Sequence, residues 1–169
     1  MQQTPCYVLA LDFGTQSVRA IIVDDSGNII AKGQQAMPPY HSPEPGMAEL
    51  PVSAYWQTLS AACADLWQHS PVAASEIAAV TLTTQRGTMI CLDKDRQPLC
   101  PAMLWLDQRT ATMLPRLGSW RSLFWLMGIT AIVERFQRRA PSNWLAEQQP
   151  QLWQQTAHYV LLSGYLTLQ

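Results

Sequence analysis

Leu9-Ala10-Leu11-Asp12-Phe13-Gly14-Thr15-Gln16-Ser17-Val18-Arg19-Ala20-Ile21-Ile22-Val23-Asp24 decides how the rest of the chain is read. The apolar runs Tyr7 to Leu11 and Val18 to Val23 have strand length and β-branched content, and Asp-Phe-Gly-Thr-Gln-Ser joins them tightly enough for a hairpin. Gly14 permits close backbone approach to a ligand, and Thr15, Gln16 and Ser17 offer N–H and side-chain donors. Asp12 places a hard oxygen anion at the end of a strand. That set suits a metal-bound polyphosphate. It also suits an ordinary polar hairpin in which Asp12 caps its own turn.

Outward from the hairpin, Asp24-Asp25-Ser26-Gly27-Asn28 is a turn and Ile29 to Gln34 returns as a third strand, which makes an antiparallel meander. Met37 to Gly46 holds too many prolines for a regular element and predicts a surface loop. Pro51 opens a helix whose inner stripe is Val52, Tyr55, Trp56, Leu59, Ala62, Cys63 and Leu66. Glu76 to Thr83 reads as a buried strand, giving the order three strands, helix, strand.

Gln85 and Arg86 stand at the exit of that strand, where α/β sheets commonly present ligand-contacting groups. Strands are expected at Met89 to Leu92 and Leu99 to Leu104, around the turn Asp93 to Gln97. Asp93 and Asp95 have calcium-loop spacing, but no Gly or distal Glu completes a loop, so a hairpin turn is the reading. Trp105-Leu106-Asp107-Gln108-Arg109-Thr110 is expected to start a helix capped by Asp107, with Arg109 as an ion-pair partner. Helices are then expected at Ser119 to Met127, at Ser142 to Gln149, from Pro150 with Leu152, Trp153 and Ala157 inward, and after a cap at Ser163.

The composition, 48% hydrophobic and 14% charged over 169 residues, is that of a globular domain. Eleven basic against twelve acidic side chains leave a net charge of −1, which supplies no general field for nucleic acid or an anionic membrane. Arg135, Arg138 and Arg139 read as a solvated helix face. Cys6, Cys63, Cys91 and Cys100 form no C-x-x-C pair and His41, His69 and His158 are scattered, so the thiols read as reduced packing residues; Cys91 and Cys100 flank a turn and can face each other. The start, Met1 to Pro5, lacks the features of a secretion signal and no run reaches membrane-spanning length, which together point to the cytoplasm.

Leu-Asp-Phe-Gly-Thr-Gln-Ser-Val-Arg-Ala resembles the first phosphate motif of the actin, heat-shock ATPase and sugar-kinase superfamily, and looks most like the FGGY carbohydrate kinases. Two further blocks resemble that family: Thr-Thr-Gln-Arg-Gly-Thr-Met-Ile-Cys-Leu-Asp, ending at Asp93, and Trp-Leu-Asp-Gln-Arg-Thr, starting at Trp105. The resemblance implies an α/β, ribonuclease-H-like (actin-like ATPase) domain, a mixed sheet with a β1-β2-β3 meander flanked by helices. It also implies a truncated N-terminal domain, sheet-rich over residues 1–110 and mainly helical over 111–169, with the second, ATP-binding domain and its general-base Asp expected beyond Gln169.

ATP and Mg²⁺ come with that resemblance: Asp12 by the metal, Gly14, Thr15, Gln16 and Ser17 at the phosphates, and Arg19 at the transferred phosphoryl group. Gln85, Arg86, Trp105 and Asp107 would face a sugar or polyol. There are departures. Glycerol kinases carry Gln-Arg-Glu where this chain has Gln85-Arg86-Gly87, xylulose kinases have a similarly placed Gly but His before it, and no Lys stands in Ala140 to Trp144 where many members have one. The expectation is a sugar-kinase lineage, with the fragment alone inactive and self-associating, for instance as a homodimer, through an apolar surface carrying Trp120, Phe124, Trp125, Leu126, Trp144, Leu145, Leu152 and Trp153. The alternative is a non-catalytic pseudo-kinase or interaction module.

Overall fold

The structure, a computed structural model, describes residues 6–169; Met1 to Pro5, and with them the reading of the start, lie outside the described residues. β1 (Tyr7–Phe13) and β2 (Ser17–Val23) pair antiparallel from Val8 opposite Val23 to Phe13 opposite Val18, which sets Asp12 across from Arg19. β3 (Ile29–Ala36) returns along β2. The expected meander therefore forms, with Asp24 Oδ1 accepting from the Ser26 and Asn28 amides to close the second turn. The proline-rich segment stays irregular up to a bridge from His41 to Glu49 and the short β4 (Glu49–Leu50).

α1 (Val52–His69) lies on β2 and β3 and buries Val52, Tyr55, Leu59, Ala62 and Leu66. Its approach needs glycine at position 33, because a Cβ there would sit 2.1 Å from the Ala62 carbonyl oxygen and 2.5 Å from the Leu66 amide nitrogen. Trp56 departs from the expected inner stripe. It is 46% exposed, since a step of one residue turns the side chain about 100° from Tyr55 towards solvent.

β5 (Ile77–Thr84) runs parallel to β1, so the first sheet has the order β3-β2-β1-β5. The sequence suggested a buried strand; instead β5 is mostly exposed, with Val80 61% accessible. α1 covers the β2–β3 side of the sheet, and among the described residues no strand pairs with the outer edge of β5.

A second sheet, β4-β7-β6-β8, is built from β6 (Met89–Leu92), β7 (Ala102–Met103) and β8 (His158–Leu161). The strand expected from Leu99 shrinks to β7 because Pro98 and Pro101 lack ladder donors. Asp93 Oδ1 accepts from the Asp95 and Gln97 amides at 2.8 Å, so the Asp93 turn is the hairpin turn expected. Cys91 and Cys100 do face each other as free thiols, and the Cys100 S–H hydrogen bond with Cys91 lowers the first ionisation of the pair.

No helix begins at Asp107; residues 104–119 are irregular, since the Asp107 carboxylate is drawn to Arg109 and to the Ala48 amide instead of capping. α2 (Trp120–Leu126), α3 (Thr130–Arg139), α4 (Pro141–Gln148), α5 (Pro150–Gln155) and α6 (Leu162–Thr167) follow. The sequence put Arg135, Arg138 and Arg139 on a helix face without giving α3 its bounds, and did not assign β8. Leu145, Cys91 and Met103 form a small core against which Trp144, Leu152, Trp153 and Tyr159 pack, so the apolar surface expected at Trp144, Leu145, Leu152 and Trp153 is covered from within the chain; the main core centres on Phe13, Val18, Tyr55, Ile90 and Leu92. Ala157, expected inward, is exposed.

Candidate functional site

The strand ends of the first sheet, the turn after β1 and the loop carrying Trp105 come together on one side of the molecule. Gly14 donates its N–H to the Ser17 carbonyl at 3.0 Å, and a Cβ at Gly14 would lie 3.2 Å from that same oxygen. Thr15 and Gln16 are therefore held at the tip, exposed. Ser17 is buried and its Oγ accepts from Gln34 Nε2 at 3.2 Å, which makes its hydroxyl part of the scaffold beneath the turn.

Arg19 Nη1 donates to Asp12 Oδ2 at 2.8 Å across the hairpin. Both side chains are partly open to solvent, 41% and 33%, so the pair is a surface ion pair whose partners can exchange. Asp12 Oδ1 has no hydrogen-bond partner among the described residues.

Thr15 connects this turn to the residues expected on the acceptor side. Its Oγ1 donates to Gln85 Oε1 at 2.9 Å and accepts from Trp105 Nε1 at 3.1 Å. Gln85 in turn donates from Nε2 to the Tyr55 hydroxyl at 3.2 Å, and its own amide bonds the Phe13 carbonyl. Burial pushes the Tyr55 phenol up to about 12, so it stays neutral over the physiological range. The sequence placed Tyr55 on a helix stripe but gave it no partner; the signal available was that a core Tyr needs one for its hydroxyl.

Gly87 has φ of 81°, and a Cβ there would approach Trp105 Cβ to 3.2 Å. A glutamate at this position would be strained twice, by its backbone and by the Trp. Arg86 is exposed, with no salt-bridge partner among the described residues.

The loop after Trp105 is anchored by a buried ion cluster. Arg109 Nη2 meets Asp107 at 2.6 Å and its Nη1 meets Glu49 at 2.8 Å, with the guanidinium 4.5 Å above the Trp144 ring. Burial works against the Arg109 charge, but the hydrogen bonds and charges of Asp107 and Glu49 outweigh it and raise its pKa. Asp107 also accepts from the Ala48 amide at 2.9 Å and is 4% exposed. Its oxygens are engaged in holding the loop; Glu49 was not singled out from sequence, and Trp144, expected on an exposed apolar surface, instead packs under the Arg109 guanidinium.

Two cavities flank the network. One of about 330 Å³ is lined by Thr15, Tyr55, Gln85, Tyr40 and the prolines beside it. The other, of about 610 Å³, lies beside Trp105 and includes Gln108, Thr110 and Arg139. Among the described residues no three His, Cys, Asp or Glu side chains cluster as a metal site.

A strand-end carboxylate, an exposed polar turn and an indole thus lie close together, the turn and the indole joined by the Thr15 hydroxyl. Residues 7–169 match the N-terminal domain of the FGGY family of carbohydrate kinases, and the chain belongs to that family. It is 41% identical over 111 residues to a glycerol kinase of Thermococcus gammatolerans, a match covering 66% of this chain and 22% of that protein. The fold, that of the actin-like ATPases, is shared with a xyloylose kinase from Brucella ovis (TM-score 0.77, 23% identity, 96% of this chain and 34% of that one). It is shared also with a gluconate kinase from Lactobacillus acidophilus (TM-score 0.74, 19% identity, 97% of this chain and 33% of that one). The matched region is thus about a fifth of the glycerol kinase and a third of the solved chains.

Proposed function

We propose that this chain supplies the phosphate turn and part of the acceptor surface of an ATP-dependent sugar or polyol kinase, which moves the terminal phosphate of ATP to a carbohydrate hydroxyl. The observation that carries the reading is the Thr15 junction, which fixes the tip of the polyphosphate turn relative to Gln85 and Trp105. Phosphoryl transfer depends mainly on placing donor and acceptor in line, so a rigid link between the two sides has direct catalytic value.

The donor set fits Mg²⁺ delivered with the nucleotide, because Mg²⁺ keeps several waters and takes one or two carboxylates along with phosphate oxygens. Asp12 Oδ1 is the carboxylate oxygen left for it, and the ion would neutralise phosphate charge there. Arg19, partly exposed, then has its fork available to a phosphoryl oxygen. The amides of Thr15 and Gln16, at the exposed tip, line the turn that would receive the phosphates, while the Gly14 amide is held by the Ser17 carbonyl. Trp105, 51% exposed, offers a flat face to the C–H side of a sugar while Gln85 and Arg86 offer polar groups to its hydroxyls.

Two expectations accompany this reading. The exposed Trp120, Trp125, Leu126 and Phe136 on α2 and α3 favour self-association. The free thiols fit a reducing cytoplasm, and no helix among the described residues is long and apolar enough to cross a membrane.

Ligand-observed NMR on the chain tests the division of labour. Asp12→Asn should lose Mg·ATP contact while sugar contact persists, and Trp105→Ala should do the reverse. Loss of both ligands in both variants would contradict the assignment.

A further inference from the structure

We propose that Cys91 and Cys100 form a peroxide-sensitive dithiol site, oxidised reversibly to a disulfide that alters the loop carrying Trp105. Both residues belong to one small core of this chain, and the site does not depend on the kinase reading above.

The backbone brings the two sulfurs together across the Asp93 turn. Cys91, buried on β6, sits opposite Tyr159 of β8. On its other flank the Leu99 amide donates to the Cys91 carbonyl at 2.9 Å, which leaves the next residue, Cys100, beside it at the bend. Cys100 is only partly buried, so a small oxidant has a way in from its side. Both cysteines are free, and a hydrogen bond joins their side chains.

Packing alone does not call for two thiols in contact. Cys63 is the inert case in the same chain: it packs singly against apolar residues, and burial pushes its thiol up. In the pair, the S–H of Cys100 donates to the Cys91 sulfur and favours its thiolate against the opposing effect of burial. That thiolate attacks hydrogen peroxide; an S–O bond forms, the O–O bond breaks, and the departing hydroxide takes up a proton to become water. The Cys100 sulfur then displaces the hydroxyl from Cys91; an S–S bond forms, the S–O bond breaks, and the hydroxyl leaves as water with the Cys100 proton. Two electrons pass from the pair to the peroxide, which ends as two waters. A reversible couple of this kind is what a disulfide in a reducing compartment amounts to.

Cys100 lies five residues before Trp105, and the charges of Glu49 and Arg109, which anchor the Trp105 loop, both act on it. Drawing Cys100 from hydrogen-bond contact into a covalent bond with β6 shifts the start of that segment, and with it the Trp105 indole bonded to Thr15 at its end.

The test treats the reduced, folded chain with hydrogen peroxide, alkylates the remaining thiols and maps the peptides by mass spectrometry. The Cys91–Cys100 disulfide should form about tenfold faster than Cys6 or Cys63 is oxidised, although Cys6 is the exposed thiol. Dithiothreitol should restore both thiols. In ¹⁵N-edited spectra the Trp105 indole N–H resonance, assigned by its absence in Trp105→Phe, should move on oxidation, return on reduction and stay in place in peroxide-treated Cys100→Ser. Oxidation of Cys6 ahead of the pair, or sulfinic acid at Cys91 with no disulfide, overturns the dithiol site. A disulfide that leaves the indole unmoved, or an indole that still moves in Cys100→Ser, overturns its link to Trp105. The rate comparison uses the wild-type chain alone and holds whether or not the variant folds.

Discussion

The Thr15 hydroxyl donates a 2.9 Å hydrogen bond to Oε1 of Gln85, a residue 70 positions further along the chain. The bond ties the turn after β1 to the end of β5, two strands that run parallel and deliver both residues to the same edge. Trp105 completes the junction from a loop that belongs to neither strand.

Thr15→Val removes the acceptor of the Trp105 indole and the donor to Gln85 at near-constant volume. Because Thr15 is exposed, the stability cost should stay near 1 kcal/mol. The Trp105 indole N–H resonance should nevertheless move in the unliganded variant, and sugar affinity should fall. An unchanged indole resonance would mean that the junction is absent in solution.

Arg86→Ala should weaken a sugar ligand far more than ATP, because a lost hydrogen-bond partner leaves a ligand polar group unpaired at roughly 1–3 kcal/mol. Calorimetric titration with each ligand checks this. Equal losses for the two would remove Arg86 from the acceptor side.

Gly33→Ala tests the packing of α1 on the sheet. The added methyl would sit 2.1 Å from the Ala62 carbonyl oxygen, an approach that only backbone movement relieves. We expect destabilisation of about 1–3 kcal/mol or more, read by denaturant unfolding. A neutral substitution would show that α1 sits further from β3.

Much of this fold was legible in the sequence where a local signal and the tertiary environment agreed. The hairpin from Tyr7 to Val23 declared itself by β-branched runs and a Gly-containing turn, and α1 by Pro51 and its apolar period. β5 was found but misjudged as buried, since Ala78-Ala79-Val80 carries no information about whether a neighbour covers it. Asp107 read as a helix cap because a cap and an ion-pair anchor use the same residue type; the partners that decide, Ala48 and Glu49, lie nearly 60 residues upstream. β8 is too short to carry a clear period, whereas α3 is strongly amphipathic, and of that signal only the Arg135, Arg138 and Arg139 face was read. Of the candidate site, the sequence could name the residues of the Asp12–Ser17 turn, whereas the Thr15 junction depends on contacts between distant segments.

Tyr55 gives a pH signature. Its phenol is held neutral in the fold, raised from 10.0 to about 12, chiefly by burial. The fold prefers the protonated form, so this contribution is complete below pH 10 and is lost as the pH rises through 12. The loss should run at about 1.4 kcal/mol per pH unit across that window. Tyr159 is shifted in the same direction by burial, so the comparison to make is wild type against Tyr55→Phe. The variant should show the shallower alkaline decline; identical slopes would mean Tyr55 is solvated.

The central claim is that the Asp12–Ser17 hairpin turn cradles a metal-bound polyphosphate, and paramagnetic broadening by Mn²⁺·ATP tests it most directly. In ¹⁵N-edited spectra of the chain, the amides of Gly14, Thr15, Gln16 and Ser17 should broaden first, and Asp12→Asn should remove the effect while leaving the rest of the spectrum unchanged. Broadening centred elsewhere, or broadening of the turn that persists undiminished in Asp12→Asn, would contradict the account.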